Sequence, residues 1–137
     1  MSPITPPRPL PALEKGTDFF WKAGAHGQLL IARCETCRRY HHPPLPYCPT
    51  CPEGTVVPSP VSGNARIASF TVNHQAWVPG LGVPYVFAAV ELEEQAGLYV
   101  LTNIVGCPVE DVRIGLEVEV SFEPIGEIFL PMFRPRR

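Results

Sequence analysis

The sequence has 137 residues, of which 45% are hydrophobic and 18% charged, with a net charge of −2. This composition supports a hydrophobic core and excludes global disorder. A general nucleic-acid-binding protein usually carries a basic excess, so the acidic balance weighs against that class. The sequence contains no run of about 20 apolar residues, so it predicts no transmembrane helix. Residues 1–11 lack the charged start and apolar core of a signal peptide, and we therefore expect a cytoplasmic protein.

Prolines shape the first half of the chain. Many of the 18 prolines lie in Ser2–Leu13 and Pro43–Pro60, where their density disfavours long helices. We expect residues 1–16 to form a Pro-rich arm that is either solvated or lies on a partner. Residues 17–60 are expected to form a short helix and a metal-binding ribbon, and residues 61–137 a separate β-domain.

A short helix is predicted from Thr17 to Ala25, with Thr17 or Asp18 as its N-cap. Three aromatic residues in a row give it an apolar surface: Phe19, Phe20 and Trp21. Because so short a helix cannot bury every side, we expect one face, with Phe20 and Trp21, to contact a partner.

Strand patterns account for most of the remaining chain. Gln28–Arg33 predicts a strand, whereas Pro43–Pro60 predicts a loop. Beyond Ala65, four further strands are predicted between turn residues, at Arg66–Val72, Tyr85–Leu92, Leu98–Ile104 and Glu117–Glu123. Short strands at this spacing predict a small sandwich or barrel, and five with Greek-key connections would form an OB-fold.

The end of the chain is unusually apolar. Ile128–Phe133 contains five hydrophobic residues and one proline. A segment of this kind must be covered. We expect it both to close the barrel and to meet a partner, with Phe133 in that contact.

Two C-x-x-C pairs are the strongest local signal, formed by Cys34, Cys37, Cys48 and Cys51. Each pair can form a tight knuckle, and two knuckles supply four thiolates to one ion, which suits zinc. Four thiolates fill the coordination sphere, so the site is expected to be structural. Iron stays open, because iron–sulfur proteins also use four cysteine ligands. Two disulfides are the alternative, which a reducing compartment disfavours.

Other candidate ligands and nucleophiles have plainer expected roles. His41 and His42 lie between the cysteine pairs, but four cysteines suffice for a metal, so we expect both histidines on the surface or in a partner contact. Cys107 has no base or electropositive setting in the sequence around it, and we expect a buried turn cysteine. Arg38 and Pro52 follow the second cysteine of each pair, where many knuckles have glycine.

Several motifs together resemble one known family. They are Phe20-Trp21, Arg33–Cys37, Cys48–Cys51, Ser69–Val72, Pro84–Leu92, Ile114–Val118 and Leu130–Pro135. Over about residues 19–134 the sequence resembles the zinc-ribbon plus OB-fold proteins known as domain of unknown function thirty-five. Ala65 stands where that family often has a glycine, so we expect the turn after Gly63 to differ locally.

The resemblance implies a mostly β fold, in which an N-terminal helix and a rubredoxin-like zinc ribbon precede a five-stranded OB-fold barrel. It also implies a non-catalytic accessory subunit of a thiolase-like enzyme acting on acyl-CoA, often in a two-plus-two heterotetramer. Some members support retro-aldol cleavage of steroid side-chain CoA thioesters. The residues agree with a non-catalytic role, since the sequence shows no nucleophile elbow, Gly-rich phosphate loop or catalytic His/carboxylate cluster.

Three further side chains are candidates for contacts with ligand or partner. Arg66 could pair with CoA phosphates, and His74 and Trp77 could meet an acyl group or a partner at the barrel mouth. Two alternatives remain open. One is a single-stranded nucleic-acid-binding OB-fold module, and the other is a stand-alone enzyme acting on CoA thioesters.

Overall fold

The computed structural model describes residues 10–75 and 82–136. A short helix α1 (Phe19–Lys22) continues into a 3-10 turn (Ala23–His26). The strands are β1 (Leu29–Cys34), β2 (Tyr40–His41), β3 (Val56–Val61), β4 (Asn64–Asn73), β5 (Tyr85–Leu92), β6 (Tyr99–Ile104), β7 (Glu117–Ile125) and β8 (Ile128–Pro135). A second 3-10 turn, Val109–Asp111, precedes β7. Within the described ranges, no helix has the length and apolarity needed to cross a membrane.

The first three strands form an antiparallel sheet in the order β2-β1-β3. The prediction of a loop throughout Pro43–Pro60 is wrong at its end, because β3 pairs with the whole length of β1. Pro58 and Pro60 are tolerated there because β3 is an edge strand, which pairs on one side only and so has no neighbour to receive N–H groups on the other.

The remaining five strands close into a barrel in the order β4-β5-β6-β8-β7. The pairs are antiparallel except β6 with β8, which meet in parallel through Ile104 and Phe133. The predicted five-stranded OB-fold is therefore confirmed. The apolar end of the chain forms β8 and closes the barrel, as the pattern predicted.

The barrel interior is filled by alternate residues of its strands, among them Ile67, Val86, Val90, Val100, Val118 and Phe133. Phe133 has no exposed surface. The prediction that Phe133 contacts a ligand or partner is wrong, because its position in β8 points the ring into the barrel, where each second side chain of a strand lies.

The outer face of β8 is also covered. Ile128, Leu130 and Met132 are buried under Leu10, Leu13, Trp21 and Ile125. The chain therefore covers most of its apolar end with its own residues. Leu10 and Leu13, inside the predicted arm, pack on the barrel rather than lying free in solvent.

Helix α1 is shorter than predicted and is not capped as expected. Neither Thr17 nor Asp18 caps it with a side chain: the Thr17 hydroxyl donates to the Glu14 carbonyl (3.4 Å), and the Asp18 carboxylate pairs with Lys22 (3.4 Å). Tertiary packing holds the helix instead, which is the usual source of stability for a single turn.

The aromatic residues of α1 connect the helix to the rest of the molecule. Phe20 is 6% exposed and belongs to the same hydrophobic core as the barrel interior. The centre of its ring lies 4.8 Å from the centre of the His42 ring. The predicted partner contact of Phe20 is therefore wrong, because the ring is buried between helix and ribbon. Trp21 is half-buried and packs both against the core that fills the barrel and against the buried residues on the outer face of β8.

The turn that leads into β4 does not need a second glycine. Gly63 takes the positive φ (85°), and a Cβ there would lie 2.5 Å from Val120 Cγ1. Ala65 is a buried residue of β4 without a positive φ. The expected local difference at Ala65 is therefore not required by the backbone.

Candidate metal centre

Four sulfur atoms converge between the two knuckles. The Sγ atoms of Cys34, Cys37, Cys48 and Cys51 all lie within 4.8 Å of one another, and those of Cys37 and Cys48 are 3.7 Å apart. A tetrahedral ion with metal–sulfur bonds of about 2.3 Å needs sulfurs about 3.8 Å apart. All five cysteines are free thiols. The cluster predicted from the spacing is therefore formed, and its donor set fits a thiolate-bound metal.

The first knuckle follows β1. Arg38 adopts the left-handed conformation (φ 65°) that many knuckles give to glycine, and it donates its N–H to the Cys34 carbonyl (2.9 Å). Arg33 donates from Nε to the Arg38 carbonyl (2.7 Å), and its guanidinium lies 4.4 Å from the centre of the Tyr40 ring. These contacts offset the cost of a non-glycine residue in this region, which is about 1–2 kcal/mol.

The second knuckle depends on a glycine that lies further along the chain. The Gly54 N–H donates to the Cys51 carbonyl (2.7 Å). A Cβ on Gly54 would lie 2.7 Å from Cys34 Sγ and 2.8 Å from Cys51 Cβ. Glycine is therefore required for space rather than for its backbone angles, and Pro52 takes no part as a donor because it has no N–H.

Hydrogen bonds from neighbouring groups favour the thiolate form of two of the cysteines. The Thr50 hydroxyl lies 3.3 Å from Cys48 Sγ and lowers the pKa of Cys48 to about 5. The Arg39 backbone N–H lowers the pKa of Cys37. Burial raises the pKa of Cys51 to about 11. The raised pKa keeps the free Cys51 thiol protonated at neutral pH. Since zinc binds the thiolate, a bound ion would have to displace that proton.

The two histidines between the cysteine pairs are not part of the four-sulfur ligand group, but the His41 side chain hydrogen-bonds Cys48 and helps to lower its pKa. Both histidines are half-buried, and their expected partner contact stays a prediction. His42 packs on Phe20, and burial lowers its pKa. His41 Nε2 and His42 Nδ1 are buried without hydrogen-bond partners among the described residues.

Cys107 is half-buried and packs against the main core. Burial, together with the charge of Asp111, raises its pKa. A thiol with a raised pKa is a poor nucleophile. This setting agrees with the expected structural role of Cys107.

Two of the predicted contact residues outside the ribbon, Arg66 and His74, are exposed. Arg66 is exposed and lines a shallow groove of about 430 Å³ with Arg113, Glu117 and Arg136. His74 is exposed at the end of β4. Trp77 lies outside the described residues. The contact roles of Arg66, His74 and Trp77 stay predictions.

Two family models match consecutive parts of the chain. The ChsH2 rubredoxin-like zinc ribbon domain matches residues 21–57, and the ChsH2 C-terminal OB-fold domain matches residues 59–123. A DUF35 domain-containing scaffold protein of Methanocaldococcus jannaschii is 36% identical over 101 residues, covering 72% of this chain and 70% of that protein. The chain belongs to the DUF35 zinc-ribbon/OB-fold family.

Solved structures of DUF35 proteins share the fold. A chain of the Ltp2-ChsH2(DUF35) aldolase superposes with a TM-score of 0.82 and 35% identity, covering 92% of this chain and 98% of that chain. A DUF35 protein of unknown function from Sulfolobus solfataricus gives a TM-score of 0.59 at 16% identity, covering 85% of this chain and 82% of that chain. The second likeness shows the fold alone.

Two longer relatives contain a DUF35-like region. A probable enoyl-CoA hydratase alpha subunit of Thermomonospora curvata is 36% identical over 129 residues, which are 93% of this chain and 40% of that protein. The 3-oxo-4,17-pregnadiene-20-carboxyl-CoA hydratase alpha subunit of Mycobacterium tuberculosis is 35% identical over 115 residues, 82% of this chain and 35% of that protein. The chain therefore spans well under half of either relative.

Proposed function

We propose that this chain is a non-catalytic accessory subunit that binds and stabilises a thiolase-like enzyme acting on acyl-CoA. The preferred reaction of the complex is retro-aldol cleavage of a steroid-type side chain held as a CoA thioester, in a two-plus-two heterotetramer. One observation carries the proposal: the chain resembles a chain of the Ltp2-ChsH2(DUF35) aldolase over nearly the full length of both.

The metal centre supports a scaffolding role. Cys34, Cys37, Cys48 and Cys51 would hold one Zn²⁺, and four thiolates would leave no position for water or substrate. Among the described residues, this all-cysteine set is the only group of His, Cys, Asp or Glu side chains arranged to hold a metal. The ion would tie the two knuckles to a sheet that is too small to hold itself together.

Cys107, the cysteine outside the metal centre, also argues against catalysis by the chain itself. The pKa of Cys107 is raised rather than lowered, which is the opposite of what an activated thiol requires. The reaction is therefore left to the partner. The hydratase activity named for the two longer relatives is not assigned to this chain, because it covers only 40% and 35% of them.

The proposal is tested by co-expressing the full chain with the Ltp2 subunit of the aldolase. We expect the two to co-elute at a mass of two plus two chains in light scattering. The complex should cleave a steroid side-chain CoA thioester, and the chain alone should not. Turnover by the isolated chain, or its failure to bind Ltp2, would overturn the proposal. A gel shift with single-stranded DNA at low salt serves as the control for the nucleic-acid alternative.

A further inference from the structure

Exposed apolar side chains are concentrated on one side of the barrel. Eight large hydrophobic residues are exposed in the described part of the chain. Five of them lie on or directly beside β5 and β6: Val83, Phe87, Tyr99, Leu101 and Val105. Phe87, Tyr99 and Leu101 are 45%, 47% and 66% exposed. We call this surface the β5–β6 face.

The strand register makes this surface continuous. Ala89 pairs with Leu101, and Phe87 pairs with Asn103 on the same face. The intervening residues Val86, Ala88, Val90 and Val100 are buried in the barrel. The outward face of β5 and β6 is thus largely apolar, with Glu91 and Asn103 as polar exceptions, whereas a strand that faced only water would carry mostly polar residues outside.

A shallow groove runs across the centre of the β5–β6 face. It has a volume of about 220 Å³ and lies between Phe87, Ala89 and Leu101 on one side and Ser69, Phe70 and Thr71 of β4 on the other. A volume of this size accommodates one or two apolar side chains. Pockets that receive an anchor residue are typical of the centres of protein interfaces.

Charge decides what kind of partner fits. Residues 82–92 and 98–106 contain no lysine or arginine, and Glu91 is their only charged residue. A phosphate backbone would find no cation on β5 or β6, and the neighbouring Arg66 of β4 is paired in register with the acidic Glu91. Nucleic-acid affinity depends on contacts with cations. An apolar, uncharged surface of this kind matches the centre of a protein–protein interface, where charged residues are depleted.

The backbone of β5 is already satisfied, whereas β6 is bridged to β8 only at Ile104 and Phe133. β5 is hydrogen-bonded to β4 on one side and to β6 on the other, so an incoming strand cannot pair with it. A partner that covers β5 must therefore dock there through side chains. The face also corresponds to the second and third strands of the OB barrel, where OB-folds commonly bind their ligands.

We propose that the β5–β6 face is the docking surface for the thiolase-like catalytic subunit, with the central groove receiving an apolar side chain of that subunit. This inference rests on the function proposed above. It adds the location of the interface and its chemistry.

The test measures the affinity of Ltp2 for three variants of the full chain. Leu101→Glu and Phe87→Glu place a charge in the face, and each should weaken binding at least about 30-fold, as expected for a central interface residue. Ile114→Glu is the matched control. Among the described residues Ile114 is the most exposed large hydrophobic one, at 68%, and it lies outside β5 and β6. It should leave the affinity unchanged.

Each outcome separates the inference from the proposed function. If the wild-type chain binds Ltp2 and the face variants bind equally well, the inference is overturned and the function stands. If the wild-type chain does not bind Ltp2, the proposed function falls and the inference with it. If the face variants instead abolish self-association in sedimentation experiments, the occupant is a second copy and the inference is overturned. Leu101→Ser and Phe87→Ser repeat the test without an added charge, with metal content and unfolding midpoint as checks on folding.

Discussion

The side-chain amide of Gln95 pairs with the backbone of Tyr40 in the manner of a neighbouring strand. The Tyr40 N–H donates to Gln95 Oε1 (2.8 Å), and Gln95 Nε2 donates to the Tyr40 carbonyl (3.1 Å). Gln95 lies in the turn between β5 and β6, whereas Tyr40 begins β2. One glutamine therefore fastens the free edge of the ribbon sheet to the barrel.

Replacing Gln95 tests this link. Gln95→Ala leaves a half-buried N–H and carbonyl of Tyr40 without partners, which should cost about 1–3 kcal/mol of unfolding free energy. Gln95→Glu should also destabilise, because it keeps the acceptor and loses the donor. Urea unfolding measures both variants against Gln28→Ala, an exposed glutamine as control. Equal stability of all three would contradict the link.

Gly54→Ala tests the space beside the metal centre. The new Cβ would lie 2.7 Å from Cys34 Sγ, so a thiolate must move and the tetrahedron must distort. We expect at least about a tenfold loss of zinc affinity, the scale on which supporting residues tune metal sites. Competition with a chromogenic chelator measures the affinity. Gly82→Ala is the control, since no atom of the described residues lies within 4 Å of a Cβ there.

Metal content tests the centre directly. We expect one zinc ion per chain by mass spectrometry, none in Cys48→Ala, and a full ion in Cys107→Ser. Removing the ion with a chelator should expose amides of β1 and β3 to hydrogen exchange and leave those of β5 protected, because β5 is paired on both sides within the barrel. Bound iron, or full metal in Cys48→Ala, would contradict this assignment.

Gly24→Ala reverses an ordinary rule. Alanine usually stabilises a helix by roughly 0.5–1 kcal/mol relative to glycine. At this position a Cβ would lie 2.4 Å from Phe129 Cβ, and overpacking of this kind costs about 1–3 kcal/mol. We therefore expect a lower thermal midpoint, with Ala25→Ser as an exposed control. A higher midpoint would show that the 3-10 turn does not press on the β7–β8 hairpin.

His42 should make stability depend on pH. Burial lowers its pKa below the ordinary value of 6.5, so the unfolded chain binds more protons than the folded chain as the pH falls through that value. Stability is then lost toward acidic pH. His42→Phe keeps a ring against Phe20 and removes this proton uptake. Unfolding free energies at about pH 7.5 and about pH 5.5 should differ less in His42→Phe than in the wild type. An equal loss in both would contradict the assignment.

Local patterns predicted much of this molecule. The C-x-x-C spacing gave the metal ligands, because two knuckles bring four sulfurs together whatever surrounds them. Apolar, β-branched or alternating runs between turn residues predicted four strands of the barrel, including Tyr85–Leu92 with its observed bounds. The strand Val56–Val61 was missed because its two prolines argue against a strand, and only its place at a sheet edge removes that objection.

The remaining features depend on contacts between distant parts of the chain. The spacing between Gln95 and Tyr40 carries no local signal, and Gly54 looks like an ordinary loop glycine until Cys34 is folded against it. Their size and apolar character predict partner contacts for Phe20 and Phe133, yet tertiary packing buries both. Phe87 and Leu101 are also large and apolar, but they are exposed. Only the folded structure shows which of these apolar residues are buried.

The alternation along β5 and β6 separates two kinds of change. Substitutions at Val86, Val90 and Val100 alter the barrel interior, so selection for folding acts on them. Substitutions at Phe87, Tyr99 and Leu101 alter only what the molecule presents to its surroundings. Evolution can therefore exchange one binding partner for another through substitutions at alternate positions of these two strands, while the barrel beneath stays the same.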